Sequence, residues 1–266
     1  LQMRETGDLR LELHDYSLAS TDPFGTHLQG VNLQLREGEI VGIAGVSGNG
    51  QKELVAAISG ETIAPHKGWI RIGGELADAL SPIARRRLGL TFVPEERLGR
   101  GAVPGMSLAD NALLTGADAG MVSSGIIRSG AAREFARATI ADFNVKCGGA
   151  GALAQGLSGG NLQKFIVGRE IRLEPRIMLV AQPTWGVDVG AAQLIRQALI
   201  DLRDRGVALL VISEELEELF MICDRIAVIA QGRLSPALPR AELSIESVGV
   251  LMSGARAASP AEVLHG

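Results

Sequence analysis

Ile40-Val41-Gly42-Ile43-Ala44-Gly45-Val46-Ser47-Gly48-Asn49-Gly50-Gln51-Lys52 is the stretch on which the reading of the fold turns. Its first five residues form a continuous apolar run, the pattern of a strand buried on both faces. A glycine-rich turn follows and opens a helical stretch with Leu54, Ala57 and Ile58 on one side. Strand, glycine loop and helix in that order are the setting of a phosphate-binding loop. The glycines let backbone N–H groups turn inward, and the helix N-terminus adds partial positive charge. Gly45, Val46, Ser47, Gly48, Asn49 and Gly50 are therefore a candidate phosphate cradle. An ordinary glycine-rich turn has the same spacing, and the end of the loop departs from the binding pattern. Where GxxxxGK[ST] has lysine this chain has Gln51, a hydrogen-bonding group without charge. Where it has the hydroxyl that holds Mg²⁺ there is Lys52, turned about 100° further round the helix. Whether Lys52 reaches back to a phosphate stays open.

Working outward, residues 9–39 alternate apolar and polar in short stretches, as in Leu9-Arg10-Leu11-Glu12-Leu13 and Val31-Asn32-Leu33-Gln34-Leu35. That is the pattern of antiparallel strands with one wet face. Trp69–Ile72 reads as a further edge strand, Ser81-Pro82 as a helix start with proline at the first position, and Leu90–Val93 as a strand stopped at Pro94. The Arg85-Arg86-Arg87 run reads as the solvated side of that short helix. From about 104 to 156 there is no strand signal. Ser107 is placed to cap one helix and Ala131–Phe143 is a second, which makes a helical insertion. Beyond it come a helix over 160–172, strand Ile177–Val180, a helix near 189–204, a strand over 207–213, a helix near 215–223 and a strand over 225–230. Strands alternating with helices mean a parallel sheet covered on both faces. The expected fold is α/β: a mostly parallel core over about 9–103 and 157–234, with an N-terminal antiparallel β-subdomain. A helical subdomain is inserted at about 104–156, and a peripheral tail covers about 235–266.

With 46% hydrophobic residues and only 3% aromatic, the core must be aliphatic. A net charge of −4 gives no support for a nucleic-acid partner. Cys147 and Cys223 lack CxxC spacing and suit packing roles in a reducing compartment. His14, His27, His66 and His265 form no metal-ligand pattern. No apolar run reaches the roughly 18 residues needed to cross a bilayer, and there is no signal peptide. Association with a membrane is therefore expected to go through a protein partner. The chain starts at Leu1 rather than at methionine, and we read it as a piece of a longer polypeptide.

A second candidate anion site is Leu157-Ser158-Gly159-Gly160-Asn161, ahead of an amphipathic helix. Ser158 is placed to cap that helix, and the two glycines leave its first amides sterically open. The segment lies after the helical insertion and before Ile177-Met178-Leu179-Val180-Ala181-Gln182-Pro183-Thr184. With these landmarks in order the chain resembles the ABC ATPase family from about Leu9 to Leu234, and the α/β class resembles a P-loop NTPase core. Leu157–Asn161 is similar to the family signature, Ile177–Val180 to the Walker B strand, and Val187-Asp188 to the D-loop. Glu95, behind Phe92-Val93-Pro94, is similar in place to the Q-loop residue, and Ser213-Glu214 to the switch histidine. Val93-Pro94-Glu95-Glu96-Arg97 with Gly99-Arg100-Gly101, and Thr184-Trp185-Gly186-Val187-Asp188-Val189-Gly190, resemble one subgroup. That subgroup is the second of two fused ATPase domains in carbohydrate- and nucleoside-type ABC importers.

The resemblance implies ATP and Mg²⁺ as cofactors, and a second ABC ATPase domain upstream on the same chain as partner. It also implies transmembrane permease subunits fed by a solute-binding protein, and a place on the cytoplasmic face of the cell membrane. The family's Walker B strand ends in an Asp that orders Mg²⁺ and a Glu that polarises the attacking water. Here those positions are Ala181, with no ligand oxygen, and Gln182, which cannot accept a proton as a general base. Glu214 replaces a histidine that would meet the γ-phosphate, and an anion there repels it. Glu95 is the tentative contact to Mg²⁺ or water, and Phe24 and Tyr16 are both candidates to stack on adenine.

The losses sort by site. Gln51, Lys52, Ala181, Gln182 and Glu214 belong to the face that would hold this domain's own ATP. Ser158, Gly159, Gly160 and Asn161, which in this family serve a partner's ATP, are intact. The expectation is a split role: a weak or silent site of its own, and a signature acting in trans in an assembled transport ATPase. The rivals are a purely structural or regulatory half and an ABC ATPase of DNA repair or translation. Chains of the latter kind carry long coiled coils or basic arms, absent here.

Overall fold

A computed structural model describes residues 6–253. The chain opens with β1 (Leu9–Leu18), which pairs antiparallel with β2 (Leu28–Arg36). It then enters β3 (Ile40–Ala44), buried along its whole length as the apolar run requires. After α1 (Gln51–Ser59) come β4 (His66–Ile72) and β5 (Glu75–Leu76), which complete an antiparallel sheet of order β2-β1-β4-β5. The short helix α2 (Pro82–Arg87) leads into β6 (Leu90–Val93). Ser81 caps α2 through the amide of Ala84, ahead of proline at the first helical position.

The insertion contains α3 (Leu108–Gly116), capped by Ser107, then the strands β7 (Val122–Ser123) and β8 (Ile126–Ile127), and then α4 (Ser129–Asp142). The hairpin corrects the reading of 104–156 as free of strand. Its turn is Ser124-Gly125, both with positive φ, at 50° and 77°. Two such residues in a row are the two-residue hairpin turn whose twist matches paired strands. The pairing is so short that no alternation marks it.

The core resumes with α5 (Gly159–Arg172), β9 (Ile177–Ala181), α6 (Val189–Asp204), β10 (Ala208–Ser213), α7 (Leu216–Ile222) and β11 (Arg225–Ala230). The main sheet runs β11-β3-β10-β9-β6 in parallel. Antiparallel pieces β12 (Arg233–Leu234) and β13 (Leu238–Pro239) both join β11. The described part of the segment expected as a tail ends in α8 (Ile245–Met252), with a capping box at Ser244 and Ser247 and with Val248 fully buried. The rest of that tail, His265 included, lies outside the described residues.

Two apolar layers hold the molecule together. One face of the main sheet packs on α1 and the antiparallel sheet through Val41, Ile43, Leu54, Ile58, Leu179 and Leu210. The other face packs on α5, α6, α7 and the insertion through Ile40, Phe165, Ile166, Val180, Ile195 and Leu199. Each such side chain taken out of water stabilises the fold by roughly 1.5–3 kcal/mol before chain entropy is subtracted.

The arginine run is not a solvated face. Arg85 is 1% exposed, and its guanidinium donates to the carbonyls of Ala57, Ile58 and Leu80. Ala57 and Ile58 lie in the last turn of α1, whose carbonyls have no partner within the helix, so the guanidinium caps that end. Burial lowers the Arg85 pKa. Arg86 pairs with the buried Glu170 at 2.7 Å, and Arg87 remains at the surface, 2.8 Å from Asp118.

Candidate functional site

Four loops leave the main sheet side by side at the carboxyl ends of its strands, because the parallel register aligns those ends. Ala44 stands opposite Ser213, Ile212 opposite Ala181, and Val180 opposite Val93. In open parallel sheets this edge is where ligands bind. The four loops carry the glycine loop, Gln182, Glu214 and Glu95.

 One crevice is thus walled by Ser47, Gly48, Gln51 and Lys52 on one side and by Glu95, Arg100, Ala181, Gln182 and Glu214 on the other.

The glycine loop is built as a cradle. Gly50 precedes α1 with φ 110°, a conformation open to glycine and closed to side chains with a Cβ. The amides of Gly48, Gly50, Gln51 and Lys52 have no acceptor among the described residues. The side chain of Gln51 is engaged with the loop itself: its Oε1 accepts from the Asn49 amide at 3.0 Å and its Nε2 donates to the Val46 carbonyl at 2.8 Å. Lys52 stands on the rim, 65% exposed and 4.0 Å from Glu96.

Opposite the loop, Gln182 adopts φ 49° at the end of β9, and its Oε1 accepts from the Glu214 amide at 3.2 Å. Ala181 brings no oxygen, and Lys52 stands where a hydroxyl would be. The described residues offer no cluster of three His, Cys, Asp or Glu side chains able to hold a metal. Glu95 and Glu214 share the crevice with Lys52 and Arg100, whose ion pairs go to Glu96 and Glu61. Ala181 and Gln182 thus bring no carboxylate from the end of β9, and Glu95 and Glu214 are the carboxylates that line the crevice.

The two aromatic candidates part company. Tyr16 is 3% exposed and stacks on His66 inside the antiparallel sheet, because its place on β1 faces the core. It cannot meet a base. Phe24 is 98% exposed on a loop tied to the glycine loop by Thr26, whose hydroxyl donates to the Gly48 carbonyl at 2.7 Å.

The Leu157–Asn161 segment lies elsewhere, at the start of α5. Ser158 occupies the N-cap position, but its hydroxyl does not cap the helix. It accepts instead from Asn161 Nδ2 at 2.9 Å, while Asn161 Oδ1 accepts from the Lys146 amide. The reading of Ser158 as a side-chain cap is corrected: the Asn161 carboxamide takes the hydroxyl first. The amides of Gly159, Gly160 and Asn161 consequently have no acceptor among the described residues, and they make up the partially positive end of α5. A Cβ on Gly160 would come 2.8 Å from Asp188 Oδ2, so the helix end and the Asp188 loop meet only through glycine. Asp188 caps α6 through the Ala191 amide.

Sequence reasoning missed a buried carboxylate behind Gln182. Glu218 is 1% exposed, accepts from Thr184 Oγ1 at 2.5 Å and from Ser213 Oγ at 3.0 Å, and lies 3.6 Å from Arg196 Nε. Burial pushes its carboxyl above the ordinary glutamate range, against the two hydrogen bonds and the Arg196 charge. The folded state therefore keeps this proton to higher pH than the unfolded chain, and stability falls as pH climbs from the ordinary range through the folded value. Glu218→Gln is expected to raise the melting temperature more at about pH 8 than at about pH 5. Thermal melts at the two pH values check this, and an equal shift at both would refute it. The single acidic letter in Glu214-Glu215-Leu216-Glu217-Glu218 carried no sign of burial, since its neighbours are solvated.

Residues 28–185 match the sequence model of the ABC transporter family. The chain is 38% identical over 225 residues to the guanosine import ATP-binding protein NupO of Bacillus subtilis, covering 84% of this chain and 44% of that protein. It is 37% identical over 243 residues to the glucose import ATP-binding protein TsgD13 of Haloferax volcanii, covering 90% of this chain and 44% of that protein. The chain thus spans about half the length of the curated relatives it matches. Among solved structures, a dimeric ATP-binding cassette in a post-hydrolysis state with ADP and Pi superposes with a TM-score of 0.74 at 22% identity, covering 86% of this chain and 98% of that one. At that identity the likeness is one of fold.

Proposed function

Because this chain belongs to the ABC transporter family, we propose that it is an ATP-binding domain of an importer for a sugar- or nucleoside-like solute. In this reading it is the second of two fused ATPase domains, held at the cytoplasmic face of the membrane by permease subunits that a solute-binding protein feeds. Its own nucleotide site is degenerate, and its signature completes the site of the partner domain. One contrast carries the reading. At the glycine loop, the side chain that should meet phosphate is spent on the loop itself, and the end of β9 opposite brings Ala181 and Gln182 in place of carboxylates. At the signature, the amides of Gly159, Gly160 and Asn161 stand open beside the Ser158 hydroxyl.

Open amides at a helix N-terminus stabilise an anion, and phosphoryl transfer depends mainly on positioning and on charge stabilisation. Ser158 and the α5 amides would supply both to the terminal phosphate of an ATP held by the partner. Gln182 has no basic oxygen for an attacking water at this domain's own site. Ser158→Arg in the full-length protein, assembled with its permease, tests the reading, and ATP turnover that survives unchanged overturns it.

The degenerate site has its own test. ATP affinity of this chain, measured by titration with Mg²⁺ and again with a chelator, is expected to change by less than about twofold, because Ala181 stands where the family's Mg²⁺-ordering carboxylate would be. A tenfold gain on adding Mg²⁺ would show that the site still assembles around the metal.

A further inference from the structure

Arg97 joins three segments that are far apart in the chain. Its Nε donates to Gln163 Oε1 on α5 at 3.2 Å, and its Nη2 donates to the carbonyl of Trp185 in the loop after β9. Gln163 donates in turn to the Pro183 carbonyl at 3.0 Å, so the contact is doubled. The guanidinium lies against the first turn of α5, where a Cβ on Gly159 would come 2.9 Å from Nη1. No carboxylate among the described residues lies within ion-pair distance of it, and burial lowers its pKa. A cation at a helix N-terminus faces the positive end of the helix dipole, so this placement costs stability in the isolated domain.

We propose that Arg97 is a positioning residue for the signature. It locks the first turn of α5 to the loop that carries Asp188, so that Ser158 and Asp188 move as one body. It also ties that body to the segment bearing Glu95 and Arg100, which wall the domain's own crevice. The proposal rests on the reading that the signature acts on a partner's nucleotide. A planar guanidinium can donate in two directions at once from a fixed fork, and an ammonium cannot reproduce that geometry.

The experiment is a double-mutant cycle in the full-length protein assembled with its permease. Arg97→Lys keeps the charge and the stem, and Gln163→Leu removes that hydrogen bond from the other side, together with the one to the Pro183 carbonyl. Each is expected to lower kcat for ATP about tenfold with KM within about twofold. The double variant is expected to be no worse than the more damaged single, because both break the same junction between α5 and the loop after β9. Melting temperatures are read alongside, and if Arg97→Lys fails to fold, Gln163→Leu still decides the matter by its kcat. Losses that add, or an unchanged kcat in either single variant, overturn the proposal. If Ser158→Arg abolishes turnover while the cycle is additive, Arg97 alone has been misread. If Ser158→Arg is silent, the trans role and this proposal fall together.

Discussion

Ser158→Arg is expected to lower ATP turnover of the assembled full-length protein by about two orders of magnitude or more. The reason lies in what surrounds the residue. Its hydroxyl is exposed, oriented by Asn161, and set beside three open amides. If the signature serves a partner's ATP as proposed, an arginine side chain at this point would fill the space that the phosphate has to enter and displace the partner surface. A misplacement of about 1 Å at a reacting centre is enough for a loss near a hundredfold. The measurement is steady-state turnover of the complex, with a melting curve to show that the domain still folds. Ser158→Ala removes only the hydroxyl and leaves the amides, so it should cost less. Equal losses in the two variants would mean that the hydroxyl, and not the shape of the helix end, dominates.

Glu170→Leu is expected to destabilise the domain by about 3–5 kcal/mol, the cost of leaving buried charge without its partner. Glu170 is fully buried and meets Arg86 at 2.7 Å and Arg169 at 2.9 Å. Arg169 also donates to the carbonyls of Asn111 and Gly101, so the cluster fastens the helical insertion to the core. For a domain of this size the loss corresponds to a fall in melting temperature of roughly 10 °C. Burial alone would raise the Glu170 carboxyl, but the charges of Arg169 and Arg86 outweigh it and hold the pKa below the ordinary range. A depressed folded value means stability that is present above the unfolded pKa and lost as pH falls through the folded one. The gap between variant and parent should therefore narrow in acid. A gap that stays constant with pH would show that lost packing, not lost charge, is the cause.

Much of the fold was legible because periodicity is local. Ile40–Ala44 read as a doubly buried strand and Ile177–Val180 as a buried strand, and both are buried throughout. The β7–β8 hairpin escaped because two-residue strands leave no alternation, although its Ser124-Gly125 turn was a signal in plain view. Arg85 escaped because three successive arginines look alike on paper, and only the position of α1 decides which one is drawn beneath its carbonyls. Tyr16 and Phe24 were equal candidates until the face of β1 was known.

The sequence by itself determined the order of strand, glycine loop and helix, the place of the helical insertion, and which residue types stand at the ends of β3, β9 and β10. These follow from spacing and from side-chain chemistry, which a linear chain displays. The tertiary structure alone decided how hydrogen-bonding groups are spent. Gln51 turns onto its own loop, Asn161 takes the Ser158 hydroxyl from the helix end, and Arg97 bridges α5 to the loop after β9. Each outcome depends on which donors and acceptors from distant segments are brought within about 3 Å, and that competition is settled only when the chain has packed.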